Sequence, residues 1–98
     1  MIKHIAEENL NDVIKEGLWI VDFYADWCGP CKMLGPVLET IDENILKVNV
    51  DNREDLATKF GVMSIPTLCF FQNGELKEKT IGFKSKSEIE NIVKGLKK

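Results

Sequence analysis

Cys28 and Cys31 are the residues of this chain whose type and spacing are best suited to chemistry. They stand in Trp27-Cys28-Gly29-Pro30-Cys31, directly after an apolar run from Leu18 to Ala25 and at the opening of a segment with helical spacing. Two thiols so placed at a strand-to-helix junction can close into a disulfide and reopen without the fold moving, carrying two electrons and two protons. A thiolate, not a thiol, attacks a disulfide. Cys28 falls where a helix begins, and the unpaired N–H groups and the dipole of that end favour negative charge. It is therefore the candidate nucleophile. Cys31, one turn further on, is close enough to attack a mixed disulfide on Cys28 and release the reduced substrate. Its place inside the first turn predicts that it is the less exposed of the two.

The same thiols could form half of a zinc site, which needs two further ligands. Only His4 and Cys69 are good ones, and Cys69 lies in the middle of an apolar strand. A purely structural disulfide across so short a loop would constrain little of the unfolded chain. Redox cycling is the reading that the residues favour over both, and no metal is expected.

Asp22 interrupts an otherwise apolar strand and shares a strand face with Ile20 and Tyr24. Burial there disfavours the charged form and should raise its pKa. An acid of that kind behind the thiols can take the proton of Cys31 in the resolving step, directly or through a water. The plainer alternative is a hydrogen-bonded core acid; perturbed acids cluster at reactive sites, which favours the base. Lys47 belongs to a later strand. If the two strands pair in parallel, its ammonium approaches Asp22 and moderates the acid; otherwise it snorkels from a strand end. The sequence does not choose between these.

The elements that must hold these groups follow from periodicity. Residues 2–5 read as a short edge strand, with His4 on its surface. Leu10, Val13 and Ile14 recur at helical spacing, with Gly17 as a C-terminal cap. Leu18 to Tyr24 has the continuous apolar pattern of a strand covered on both faces. A helix is expected from about Cys28 to Asp42, with Met33, Leu34, Val37, Leu38 and Ile41 inward and Pro36 kinking it. Ile45 to Val50 reads as the third strand. Asp51 or Asn52 can then cap a short helix to Phe60, with Leu56, Ala57 and Phe60 inward. Thr67 to Phe71 is the fourth strand, with Cys69 as a small core residue. Asn73-Gly74 signals a two-residue hairpin, so Glu75 to Ile81 returns antiparallel. Ser85-x-x-Glu88 is a capping box, and Ile89, Ile92, Val93 and Leu96 form one apolar stripe. Met33 and Met63 are read as packing residues.

The order βαβαβαββα predicts an α/β fold: a central mixed sheet, parallel where helices connect strands and antiparallel in the final hairpin, flanked by helices on both faces. A chain of 98 residues is one domain, 1–98, and 44% hydrophobic content suits a globular protein. The net charge of −3, with both signs dispersed, offers no basic stripe for nucleic acid. No apolar run approaches a membrane span. The N-terminal residues lack the apolar region of a signal peptide. Three cysteines, two of them in one tight motif, do not make a secreted disulfide framework. The expected setting is cytoplasmic and reducing.

Phe23-Tyr24-Ala25-Asp26-Trp27-Cys28-Gly29-Pro30-Cys31-Lys32 closely resembles the active-site segment of the thioredoxin family. Val21-Asp22-Phe23, Pro36, Lys47 in Lys47-Val48-Asn49-Val50-Asp51, Ile65-Pro66-Thr67, Asn73-Gly74 and Gly82 match in the family's order and cover nearly the whole chain. Tyr24 stands where the family often has a second tryptophan, Ser64 where a glycine is common, and the link from Pro36 to Lys47 is short. The resemblance implies the thioredoxin fold and a protein-disulfide reductase with a redox-active Cys28–Cys31 pair and no bound cofactor. It also implies a cis Ile65-Pro66 bond, which would let Ile65 pair with an extended substrate segment. Trp27, Gly29, Pro30, Ile65, Pro66 and Gly82, with Phe83 beside them, would form the substrate-binding rim. Implied partners are thioredoxin reductase and disulfide-containing proteins, with neither nucleic acid nor membrane, for a monomer. Two other functions stay open: a disulfide oxidant or isomerase, and a non-redox binding subunit that uses the rim alone.

Overall fold

The computed structural model describes residues 1–98. The apolar stretch Leu18–Tyr24 forms strand β2, at the centre of a five-stranded sheet. In chain order the elements are β1 (Ile2–His4), α1 (Leu10–Val13), β2, α2 (Gly29–Glu39), β3 (Asn44–Asn49), α3 (Glu54–Lys59), β4 (Thr67–Gln72), β5 (Glu75–Ile81) and α4 (Lys86–Leu96). This is the order read from the sequence. The sheet runs β1-β3-β2-β4-β5. β1 and β2 pair with β3 in parallel; β4 is antiparallel to both β2 and β5.

Alternation along the strands divides the core into two layers. Trp19, Val21, Phe23, Leu46, Val48, Cys69 and Phe71 face one way, against Leu10 and Ile14 at α1 and Leu56 of α3. Leu18, Ile20, Ile45, Leu68 and Phe70 face the other way, against Leu34 and Leu38 of α2 and Ile89 and Val93 of α4. Asp22, Tyr24 and Lys47 continue the second set of positions, so the acid, the ring and the ammonium lie on the α2 side of the sheet.

The hairpin between β4 and β5 turns on Asn73 and Gly74, with φ of 51° and 83°, the left-handed pair that a two-residue turn requires. Asn73 also ties this turn to the start of β2: its amide donates to the Gly17 carbonyl and its side-chain oxygen accepts from the Gly17 amide, both at 2.9 Å. The capping box opens α4, with the Glu88 amide donating to Ser85 Oγ at 3.2 Å and the Ser85 amide donating to Glu88 Oε1 at 3.0 Å.

Several local expectations are corrected. α1 is capped at its C-terminus by Ile14, and Gly17 lies beyond it in the turn into β2. α2 ends at Glu39 with Thr40 as its cap, short of Asp42, although Ile41 is still buried after the helix. Pro36 lies inside it, where the sequence reading places it. α3 is entered from Arg53, not from Asp51 or Asn52, and no side chain caps it. Arg53 instead donates to Asp55 and to the carbonyl oxygens of Ala6 and Glu8, fastening the loop after β1. Met33 is 63% exposed and Met63 95%, so neither is a packing residue. In α2 the buried positions are Cys31, Leu34 and Leu38, and Met33 points away from that stripe. No helix is long and apolar enough to cross a membrane.

Candidate active site

β2 delivers the chain to the thiols at its C-terminal end, the end of an α/β sheet where sites usually form. Cys28 is the N-cap of α2, with extended backbone (φ −87°, ψ 113°), and Pro30 occupies the first turn. Proline is suited to that turn because its missing N–H had no intrahelical partner to lose. The Cys31 amide donates to Cys28 Sγ at 3.2 Å. A cap position normally filled by a serine or aspartate oxygen is here filled by sulfur, and the same donor would serve a thiolate. The two sulfurs are joined as a disulfide, with Cα atoms 5.2 Å apart.

The expected difference in exposure between the sulfurs is absent: Cys28 is 5% exposed and Cys31 4%. Both pack with Ala25 into a small cluster against Tyr24, Val50 and Ile65, which covers Cys28 as well as its partner. Trp27, Gly29 and Pro30 beside them are exposed. The Ile65-Pro66 bond is cis. The Ile65 carbonyl oxygen lies 3.8 Å from Cys28 Sγ. Pro66 is buried, and its carbonyl accepts from the Gly82 amide at 2.8 Å. Gly82 has φ of 89°, a conformation that a side chain would strain.

On β2, Asp22 is fully buried, and neither carboxylate oxygen has a hydrogen-bond partner. Lys47 is its register partner on β3 and holds its ammonium 3.6 Å from Oδ2. Burial pushes the Asp22 carboxyl up to about 6, against the opposing pull of Lys47. Lys47 also sits 4.5 Å from the centroid of the Tyr24 ring, a cation–π distance. Of the two readings of Lys47 left open by the sequence, the approach to Asp22 is the one found. A cleft of about 280 Å³ lined by Tyr24, Asp26, Cys31, Lys32, Gly35 and Lys47 opens this region to solvent. Cys31 and the lysine that faces Asp22 thus share one water-accessible space.

The zinc alternative does not assemble. Cys69 is buried in the layer against α1 and α3, His4 is on β1, and no three His, Cys, Asp or Glu side chains converge. Cys69 is a free thiol, and burial pushes its pKa up to about 11. A larger cleft, about 460 Å³, lies at the other end of the sheet beside Asp42, Glu43 and Lys97, remote from any reactive group.

Two features escaped the sequence. Asp51, read as a helix cap, accepts the Trp27 indole N–H at 3.0 Å and so fixes the exposed ring beside the thiols. Val62 and Met63 join Trp27, Val50, Ala57 and Ile65 in an apolar groove of about 180 Å³. The only sequence signal for the groove was the closeness of Met63 to Ile65.

Residues 1–95 match the family model described as Thioredoxin. This chain belongs to the thioredoxin family. A thioredoxin of Staphylococcus saprophyticus is 44% identical over 98 residues, covering 94% of each chain. One from Bacillus subtilis is 42% identical over 94 residues, covering 90% of each. Among solved structures, a mutant thioredoxin from Halobacterium salinarum superposes with a TM-score of 0.87 at 33% identity, over 96% of this chain and 88% of that one. The thioredoxin of Malassezia sympodialis gives 0.82 at 31% identity, over 97% and 90%. The sheet and its helices therefore form a thioredoxin fold, and the Cys28–Cys31 disulfide occupies the family's redox-active position. The function is that of a thioredoxin: protein-disulfide reduction by dithiol–disulfide exchange.

Proposed function

We propose that Cys28 attacks and Cys31 resolves. The observation that carries this assignment is the cap geometry, a Cys28 sulfur at the start of α2 accepting the Cys31 amide. In the dithiol form that end of the helix favours a Cys28 thiolate. The thiolate attacks one sulfur of a substrate disulfide; a mixed disulfide forms and the other substrate sulfur leaves and takes up a proton. Cys31 then loses its proton and attacks Cys28 Sγ. The mixed bond breaks, the second substrate sulfur leaves as a thiol, and the Cys28–Cys31 disulfide remains. The substrate gains two electrons and two protons.

Asp22 is the base for the second step in this reading. It is buried, unpartnered by hydrogen bonds and close to Lys47, which lines the cleft with Cys31. A proton passes from Cys31 to Asp22 through water in that cleft, and Lys47 keeps the acid ionisable. Trp27, Gly29, Pro30, Ile65 and Gly82 form the face that receives the substrate, with Pro66, expected in that rim, buried behind it. An extended segment pairs with the backbone of Ile65 beside the reacting sulfur. Thioredoxin reductase returns the disulfide to the dithiol, and the chain works as a monomer in a reducing cytoplasm. The relatives' shared name supports the choice of reductase and of substrate class.

The test is Cys31→Ser. The reduced variant, mixed with a disulfide-containing protein, should accumulate a covalent complex through Cys28 that mass spectrometry detects. Cys28→Ser should form none and should lose at least about a thousandfold in turnover, the scale on which a lost nucleophile acts. Adducts on Cys31 in the Cys28→Ser protein, at an undiminished rate, would reverse the assignment.

A further inference from the structure

The groove beside Cys28 contains a residue that the reaction does not use. Met63 is 95% exposed, against 65% for Met1 and 63% for Met33, and its neighbours in the groove are Trp27, Val50, Ala57, Val62 and Ile65. A thioether reacts with hydroperoxides according to its access, because it needs neither ionisation nor an activating partner. We propose that Met63 is a hydroperoxide-modification site whose conversion to the sulfoxide weakens docking of protein substrates while leaving thiol exchange intact. The inference rests on the docking face assigned above.

The reaction balances without a further component. The Met63 sulfur attacks the distal oxygen of the hydroperoxide, the O–O bond breaks, an S–O bond forms and the other oxygen leaves as water or an alcohol. The sulfur is oxidised by two electrons and the peroxide is reduced by the same two. The product has a polar, chiral sulfinyl oxygen in a groove that, apart from Ser64, is lined by apolar residues. A substrate side chain seated there would have to strip water from that oxygen without replacing its hydrogen bonds.

Oxidation state decides when the site responds. In the dithiol form the cysteines compete for peroxide. In the disulfide form they hold no thiol, and Cys69 is buried with its proton held, so the methionines are the remaining sulfur targets and Met63 is the most accessible of them. Peroxide that outruns re-reduction therefore meets the form in which Met63 is exposed and uncontested. The modification adds nothing to Cys28, Cys31, Asp22 or Lys47.

The experiment uses the full chain in its disulfide form. Hydrogen peroxide is added and removed, and peptide mass spectrometry follows oxygen addition at Met1, Met33 and Met63. Turnover is then measured with a protein disulfide and with a small aromatic disulfide. Met63 should oxidise faster than Met33. The KM for the protein disulfide should rise at least about fivefold, with kcat and the rate on the small disulfide unchanged. Met63→Leu, compared treated against untreated, should show no response to peroxide. Complete oxidation of Met63 with an unchanged protein-disulfide KM would overturn the proposal, as would an equal response in Met63→Leu. Trp27→Ala without peroxide separates the two levels. A raised KM there with none on Met63 oxidation removes the switch and keeps the docking face; no change in either experiment removes both.

Discussion

Lys47 Nζ stands 3.6 Å from Asp22 Oδ2 because the two residues are register partners across β2 and β3. The distance is that of an ion pair without a hydrogen bond, and both carboxylate oxygens remain unsatisfied. An ammonium set so loosely offsets part of the burial and leaves the acid poised near 6. Closer contact would lower the acid towards ordinary carboxylate behaviour and weaken it as a base.

Stability should fall as pH rises past the Asp22 titration. The unfolded acid loses its proton near pH 4, and the folded one near pH 6. Folding takes up a proton between these values. The contribution is therefore complete below the lower one and is lost as pH rises through the upper. Asp22→Asn should remove this slope and stabilise the chain at about pH 8 by roughly 2–3 kcal/mol. Urea unfolding of both proteins at about pH 5 and about pH 8 measures it. A difference between them that is the same at both values would mean that Asp22 does not titrate there.

Lys47→Met should move the acid the other way. Removing the cation leaves burial unopposed, so the Asp22 titration should rise by about one unit or more. Carbon NMR of the Asp22 carboxyl over pH reads this directly. The resolving step should show the same displacement in its pH profile. An unmoved titration would reduce Lys47 to a wall of the cleft.

Thiol counting separates the three cysteines. After reduction, the native chain should first take one alkyl group from iodoacetamide at neutral pH, on the Cys28 thiolate, and Cys31, which keeps its proton until the resolving step, should follow more slowly. Cys69 should stay unmodified until denaturant is added, since it is fully buried and its pKa is pushed up to about 11. Rapid labelling of Cys69 in the native state would show that β4 opens locally.

Ser85→Ala should cost about 1 kcal/mol of stability by removing the capping box of α4. Chemical denaturation checks the value. Disulfide exchange should continue unaltered, because no α4 residue packs in the cluster around the cysteines or lines the clefts beside them.

The sequence disclosed most of the architecture because its strands are unambiguous. Leu18–Tyr24 is apolar throughout apart from Asp22, Asn73-Gly74 admits one kind of turn, and each helix carries a stripe. Asp22 stood out as the one charge in that run, and parallel pairing then brought Lys47 to it. What stayed hidden depends on contacts between distant segments. Asp51 has the right type to cap α3, yet Trp27, remote in sequence, takes its carboxylate. Met33 and Met63 read as core by composition, and only the placement of α2 and of the loop before Pro66 turns them outward. The covering of Cys28 by Ile65 and Val50 likewise needs three segments to meet.

β2 has a paired neighbour on each side, while β1 and β5 form the margins. The margins can fray and rejoin without disturbing the strand that carries both the acid and the approach to the thiols. Electron delivery should therefore persist, as the chain is heated, until the whole sheet gives way at once, and amide exchange should be slowest along residues 18–24.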